Sequence, residues 1–154
     1  MAENAFSFHF LEPEQCSKGG KLDLTYWAYH VRVRTTLNQY ARKEMEVVRR
    51  YSDFEWLRLQ LQDDYVWCVI PPIPEKAVQG TIEKFFSSTH NDTLLEYRQR
   101  ALRKFLIRVG AHPHLYNSQL LQDFCEMDES EWERHMKAPK KNKSDSGSIT
   151  TALS

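Results

Sequence analysis

The hydrophobic period of this chain changes once, at Ser52, and that change limits the folds open to it. Ala5-Phe6-Ser7-Phe8-His9-Phe10 alternates apolar and polar residues, the period of a half-buried strand. Glu12 to Lys21 carries a proline and the pair Gly19-Gly20 and reads as a turn-rich connection. Residues 24–36 are rich in aromatic and β-branched types (Tyr26, Trp27, Tyr29, Val31, Val33, Thr35), which predicts a second strand. After a polar turn at Leu37 to Lys43, Glu44 to Arg50 reads as a third. Short polar connections of this kind favour an antiparallel meander.

Beyond Ser52 the spacing is helical. Ser52-Asp53-Phe54-Glu55 has the form of a capping box, and Phe54, Leu57 and Leu61 follow at helical intervals, so a helix is expected over 53–64. Pro71-Pro72-Ile73-Pro74 is compatible with neither helix nor central strand and predicts an extended polyproline-type segment. A second capping box, Thr93-Leu94-Leu95-Glu96, opens a longer helix that runs to about Val109, with Gly110 and Pro113 as its stop. Leu115 to Glu126 and Asp128 to Met136 predict two shorter helices. From Lys137 the chain turns polar, the composition of a disordered tail or linker. Strands first and helices second is an α+β arrangement. The expected division is a flexible 1–4, one domain over 5–136, and a tail over 137–154.

Charge and cysteine usage remove several function classes. With 154 residues the chain has room for one domain with a sizeable core. Lys+Arg and Asp+Glu balance at 21 each, so binding driven by whole-molecule charge is disfavoured and any anion site must be local. Neutral charge and the lack of a nucleic-acid-reading motif point away from DNA and RNA. Cys16, Cys68 and Cys125 are odd in number and far apart, as expected of reduced thiols in a cytosolic protein. The N-terminus lacks the pattern of a signal peptide, and no apolar run approaches a membrane span. Neither a Gly-rich phosphate loop, nor a nucleophile–base pair at informative spacing, nor a metal-ligand cluster is evident. A non-enzymatic domain without cofactor or metal is therefore expected.

Three segments carry recognisable chemistry. In Arg49-Arg50-Tyr51-Ser52-Asp53-Phe54, two arginines end a strand and an aromatic opens a helix. Arginine grips phosphate bidentately, and a ring can lie against the apolar face of a sugar or inositol. On the second long helix, Leu94, Leu95, Ala101, Leu102, Phe105, Leu106 and Val109 form an apolar stripe with Arg98 near its middle. A charge on such a face needs a partner, a route to solvent or a bound anion, and all three remain open at this point. The third segment, Pro71-Pro72-Ile73-Pro74-Glu75-Lys76, is a stiff extended run that ends in an ammonium group; a Pro-x-x-Pro docking ligand is its other reading.

Together with Glu96-Tyr97-Arg98-Gln99-Arg100-Ala101-Leu102 before Phe105-Leu106 and His112-Pro113, these motifs resemble phox-homology (PX) domains, most closely those of sorting nexins that carry a BAR domain. The resemblance covers roughly residues 5–127 and rests on the order and spacing of all three motifs. It implies a three-stranded antiparallel sheet against a helical bundle, with a proline-rich extended segment between the first two long helices. It also implies a phosphoinositide-binding membrane-recruitment module, reading phosphatidylinositol 3-phosphate on early endosomal membranes in protein sorting. A module that binds a trafficking protein in place of lipid is the alternative.

Carried over by motif, Arg50 would hold the 3-phosphate, Tyr51 would form the floor under the inositol ring, Lys76 would meet the 1-phosphate, and Arg98 would contact the ring hydroxyls. Arg49, on the other side of its strand, would serve as support. The family's loop after the lysine inserts apolar side chains into the bilayer, which here would be Val78, Ile82, Phe85 and Phe86. Their i, i+4, i+7, i+8 spacing equally fits a short helix packed on the core. A cytoplasmic monomer, peripherally recruited to membranes, is the expected state.

Overall fold

The computed structural model describes residues 5–18, 24–75 and 88–140. The sheet is antiparallel and its centre is the long strand β3 (Leu24–Thr35). One edge of β3 pairs with β4 (Glu44–Arg50), from Ala28 opposite Arg50 to Arg34 opposite Glu44. Two short strands share its other edge: β1 (Phe6–Phe10) pairs with Val31 to Thr35, and β2 (Glu14–Lys18) pairs with Leu24 to Ala28. Four helices complete the described residues: α1 (Tyr51–Asp64), α2 (Ser88–Ala111), α3 (Gln119–Glu126) and α4 (Glu129–Lys137).

Four strands stand where three were expected, because the stretch read as a connection contains β2. Its sequence, Glu-Gln-Cys-Ser-Lys, has no apolar alternation to betray a strand. Only the outer half of β3 recruits it. Between β1 and β2 the three residues Leu11, Glu12 and Pro13 face only Tyr29 and His30, so the register slips by one, as at a β-bulge. Pro13 has no N–H to donate, which explains why the ladder breaks there. The first lane of the sheet is one strand divided by a proline.

The core lies between one face of the sheet and the helices. Phe8, Tyr29, Val31, Val33, Met45 and Val47 pack against Phe54, Leu57 and Leu61 of α1 and Leu102, Phe105, Leu106 and Val109 of α2. The opposite face carries a ladder of charges, including Arg34–Glu44 at 3.1 Å and Arg32–Glu46 at 3.5 Å. The helix α2 lies across β1. Arg103 Nε donates to Phe8 O at 2.8 Å, and Gln99 Nε2 to Leu11 O at 3.0 Å.

Several helix ends differ from expectation. The first helix starts at Tyr51, not after Ser52: Arg50 is its cap, and Asp53 Oδ2 accepts the Arg50 backbone N–H at 2.6 Å. The shorter carboxylate three residues beyond Arg50 takes the part expected of Glu55. The second long helix is already formed at Ser88, so Thr93 is an interior position and no cap. Gly110 does not end it, since the helix continues through Ala111 and no glycine among the described residues has a positive φ. A Cβ at Gly110 would meet Phe6 Cδ2 at 2.9 Å and Phe8 Cε2 at 3.2 Å, so the glycine permits close packing of α2 on β1. Residues 113–117 are turn, and α3 begins only after Ser118, whose Oγ accepts from Leu121 N. In α4, Asp128 and Glu131 form a complete capping box at 2.8 and 3.0 Å.

Candidate functional site

At the junction of β4 and α1 two consecutive arginines point to different surroundings. The burial pattern of β4 alternates, with Met45, Val47 and Arg49 buried. Arg49 is therefore a core residue and is fully buried, 0% exposed. Its Nε and Nη2 both donate to Phe124 O, at 3.2 and 2.9 Å; Nη1 donates to Val48 O at 2.8 Å, and Nη2 also to Met127 O. The guanidinium carbon lies 5.3 Å from the Phe124 ring centre and 5.0 Å from that of Trp132. Burial pushes its pKa down to about 10, with the Asp53 carboxylate opposing that shift.

Arg50 projects from the other side of the strand. Its guanidinium rests on the Tyr26 ring, 4.9 Å from the centre, as the register allows: Ala28 is opposite Arg50, and Tyr26 is its diagonal neighbour on the same face. Tyr26 was not singled out from sequence, because only the strand register reveals this pairing.

Tyr51, the first residue of α1, forms a second focus. It is 9% exposed, and its hydroxyl donates to Pro74 O. The Arg98 guanidinium lies over its ring at 4.8 Å, and Arg98 is itself only 8% exposed. The charge on the apolar stripe of α2 thus faces an aromatic at the corner of α1 and the proline segment. Burial raises the Tyr51 hydroxyl pKa, Glu55 and Glu75 raise it further, and Arg98 and Arg58 oppose them. Burial likewise raises the pKa of Tyr29, again with Arg98 as the opposing cation.

The proline segment is tied to α1 at both ends. Arg58 Nε donates to Pro71 O at 2.9 Å, while Tyr51 holds Pro74. Arg58 also escaped the sequence reading, although its seven-residue spacing from Tyr51 puts both on one helix face.

Of the four residues expected to bind a headgroup, the structure brings Tyr51 and Arg98 into contact. Arg50 adjoins Tyr51 along the chain, but its guanidinium lines a separate cavity that includes neither Tyr51 nor Arg98. Lys76 and the loop residues Val78, Ile82, Phe85 and Phe86 lie outside the described residues. No described helix is long and apolar enough to cross a membrane.

Comparison with known proteins adds a family. The PX domain model matches residues 37–128. Sorting nexin 1 of Arabidopsis thaliana is 40% identical over 109 residues, 71% of this chain and 26% of that protein. Human sorting nexin-7 is 40% identical over 92 residues, covering 59% of this chain and 22% of its own. Sorting nexin-30 of Danio rerio is 42% identical over 92 residues, 59% of this chain and 20% of that protein. The chain thus spans about a quarter or less of the length of these curated relatives.

Proposed function

Since the chain belongs to the PX domain family, we propose that it is a phosphoinositide-reading module that recruits its protein to membranes in trafficking. The observation that carries this reading is the Tyr51 corner. A buried guanidinium, a ring whose hydroxyl is held by Pro74 and a proline segment clamped by Arg58 converge there.

An inositol phosphate ring has an apolar face and a hydroxylated rim. Tyr51 supplies the surface for the first, and Arg98 supplies donors for the second. Arg50 leaves the strand one residue before Tyr51. Rotation of its side chain away from Tyr26 carries a bidentate fork towards the same headgroup, where it holds the 3-phosphate. Lys76, two residues beyond Pro74, meets the 1-phosphate at the bilayer surface. Val78, Ile82, Phe85 and Phe86 add affinity by insertion, at about 25 cal/mol per Å² of apolar area buried. The favoured lipid is phosphatidylinositol 3-phosphate and the membrane the early endosome, because the segment supplies one arginine fork beside Tyr51 and Ser52 adds no second cation.

Co-sedimentation with liposomes carrying single phosphoinositides tests this directly. The wild type is expected to pellet selectively with phosphatidylinositol 3-phosphate, and Arg50→Ala to stay in solution while keeping its circular dichroism spectrum. Equal pelleting of the two proteins would remove Arg50 from the site. No pelleting of folded wild type on any lipid would turn the reading towards a protein-binding module.

A further inference from the structure

The resting place of Arg50 is not the headgroup corner. Its guanidinium carbon lies 4.9 Å from the centre of the Tyr26 ring, in a cavity of about 450 Å³ whose lining includes neither Tyr51 nor Arg98. Strand register brings the two side chains together: Ala28 is opposite Arg50, and Tyr26 is the next residue on the same face of β3. Among the described residues the guanidinium has no hydrogen bond or ion pair to hold it there, so the ring face is its one specific contact.

The surrounding charge favours that position. Glu14, Asp53, Glu129 and Glu133 line the cavity, and Arg50 is the only cation among its lining residues. Three of these acids are engaged elsewhere: Glu14 with His30, Glu133 with Lys137, and Asp53 with the Arg50 backbone N–H. Glu129, in the first turn of α4, is exposed. Its charge is felt at the ring: burial and Cys16 raise the pKa of the Tyr26 hydroxyl, Arg50 opposes them, and Glu129 adds to them. Ring, guanidinium and carboxylate therefore share one neighbourhood. The ring fixes the cation, and the negative lining biases it to stay. Arg49 has no such freedom, because backbone carbonyls take its Nε, Nη1 and Nη2 donors.

We infer that Tyr26, with Glu129 behind it, is a latch that sets lipid affinity by parking Arg50 away from the headgroup corner. The headgroup captures Arg50 only in the fraction of molecules whose latch is open, so the measured affinity is the intrinsic one reduced by that fraction. A guanidinium held by one ring face is released readily. The latch therefore weakens binding a few-fold and does not abolish it. Tyr26 acts here as a positioning residue, through Arg50, and touches no lipid itself. The inference rests on the headgroup role given to Arg50 above and adds to it what restrains that role.

The test pairs a lipid-free reading with a lipid titration, both on the intact chain. In ¹H–¹⁵N spectra the Arg50 Nε–Hε signal, assigned by its loss in Arg50→Lys, is expected upfield, shielded by the Tyr26 ring. Tyr26→Leu should move it downfield, and Tyr26→Phe, which keeps the ring face, should restore it. Calorimetric titration with dibutanoyl phosphatidylinositol 3-phosphate should then show binding at least threefold tighter for Tyr26→Leu than for Tyr26→Phe. Glu129→Gln, an exposed change that spares the core, should act in the same direction by about twofold, which keeps the latch testable if Tyr26→Leu folds poorly. An Arg50 signal indifferent to Tyr26→Leu would overturn the parking contact. A signal that moves while lipid affinity stays level or falls would overturn the latch and leave the proposed function intact. Glu129→Gln without effect on either reading would remove the carboxylate from it. No binding of any phosphoinositide by the folded wild type would overturn the function proposed above, and the latch with it, wherever the Arg50 signal lies.

Discussion

Arg49 and Arg50 are chemically identical and adjacent, yet the fold assigns them opposite work. Arg49 lies among three main-chain carbonyls and two aromatic rings, which joins the end of β4 to α3 and to the Trp132 side of α4. Among the described residues the Arg50 guanidinium makes no hydrogen bond and rests on one ring beside a cavity. The difference comes from strand alternation, which sends successive side chains to opposite faces. A guanidinium whose donors are met by backbone carbonyls fixes structure, whereas one held only by a ring face remains available to a ligand. Arg98 stands between the two cases, nearly buried like Arg49 but set over the Tyr51 ring.

The largest test of this contrast is Arg49→Ala. It leaves the carbonyls of Phe124, Met127 and Val48 without their donor, and each unsatisfied buried group costs about 1–3 kcal/mol, so a total loss on the order of 3–5 kcal/mol is expected. Urea denaturation measures it, and a loss below about 1 kcal/mol would put Arg49 among ordinary surface arginines. Arg98→Ala should act on both properties. Removing its contact with Tyr51 should lower stability by about 0.5–2 kcal/mol. Headgroup affinity should fall at least tenfold, about 1.4 kcal/mol, by liposome titration. Equal effects of Arg98 and Arg49 on stability, with lipid binding intact, would move Arg98 to the structural side.

Arg58→Ala sharpens the comparison further. It frees Pro71 while Tyr51 still holds Pro74, and the lost hydrogen bond is worth about 0.5–1.5 kcal/mol. A weakening of lipid binding by a few-fold, with faster exchange of the Ile73 amide, the one N–H among residues 71–74, is expected; unchanged exchange would mean that Ile73 and Ile70 anchor the segment by packing alone.

A separate effect concerns pH. Burial pushes the Cys125 thiol from its ordinary 9.0 up to about 12, and burial also raises the Tyr40 phenol. The folded state therefore holds the thiol proton more tightly than the unfolded chain. That stability is complete below about pH 9 and is lost as pH rises towards 12, at no more than about 1.4 kcal/mol per pH unit for one proton. Cys125→Ala should flatten the decline in urea-measured stability from pH 9 to 11. An unchanged slope would assign the alkaline loss to the tyrosines. At pH 8 a thiol reagent should modify Cys16 and Cys68, which are partly exposed, well before Cys125.

Much of this arrangement was legible in the chain. The single change of hydrophobic period separates sheet from helices, and the position of Arg98 on an apolar stripe announced an unusual residue. What escaped was long-range or lacked pattern. Strand β2 has no apolar period and exists because β3 outruns β1. Gly110 looked like a helix stop, but it is spared a Cβ by phenylalanines a hundred residues earlier in the chain. Tyr26 meets Arg50 only once the register is known. Asp53, not Glu55, closes the first turn because the true cap is Arg50.

The most direct measurement exchanges each arginine for lysine, one at a time, and records melting temperature and co-sedimentation with phosphatidylinositol 3-phosphate liposomes on the same preparations. Lysine keeps the charge and removes the planar fork. Arg49→Lys should lower the melting temperature while its folded fraction still pellets. Arg50→Lys should melt like the wild type and lose most of its lipid binding. Arg50→Lys that melts early, or that pellets as fully as the wild type, would contradict the division of labour between the two.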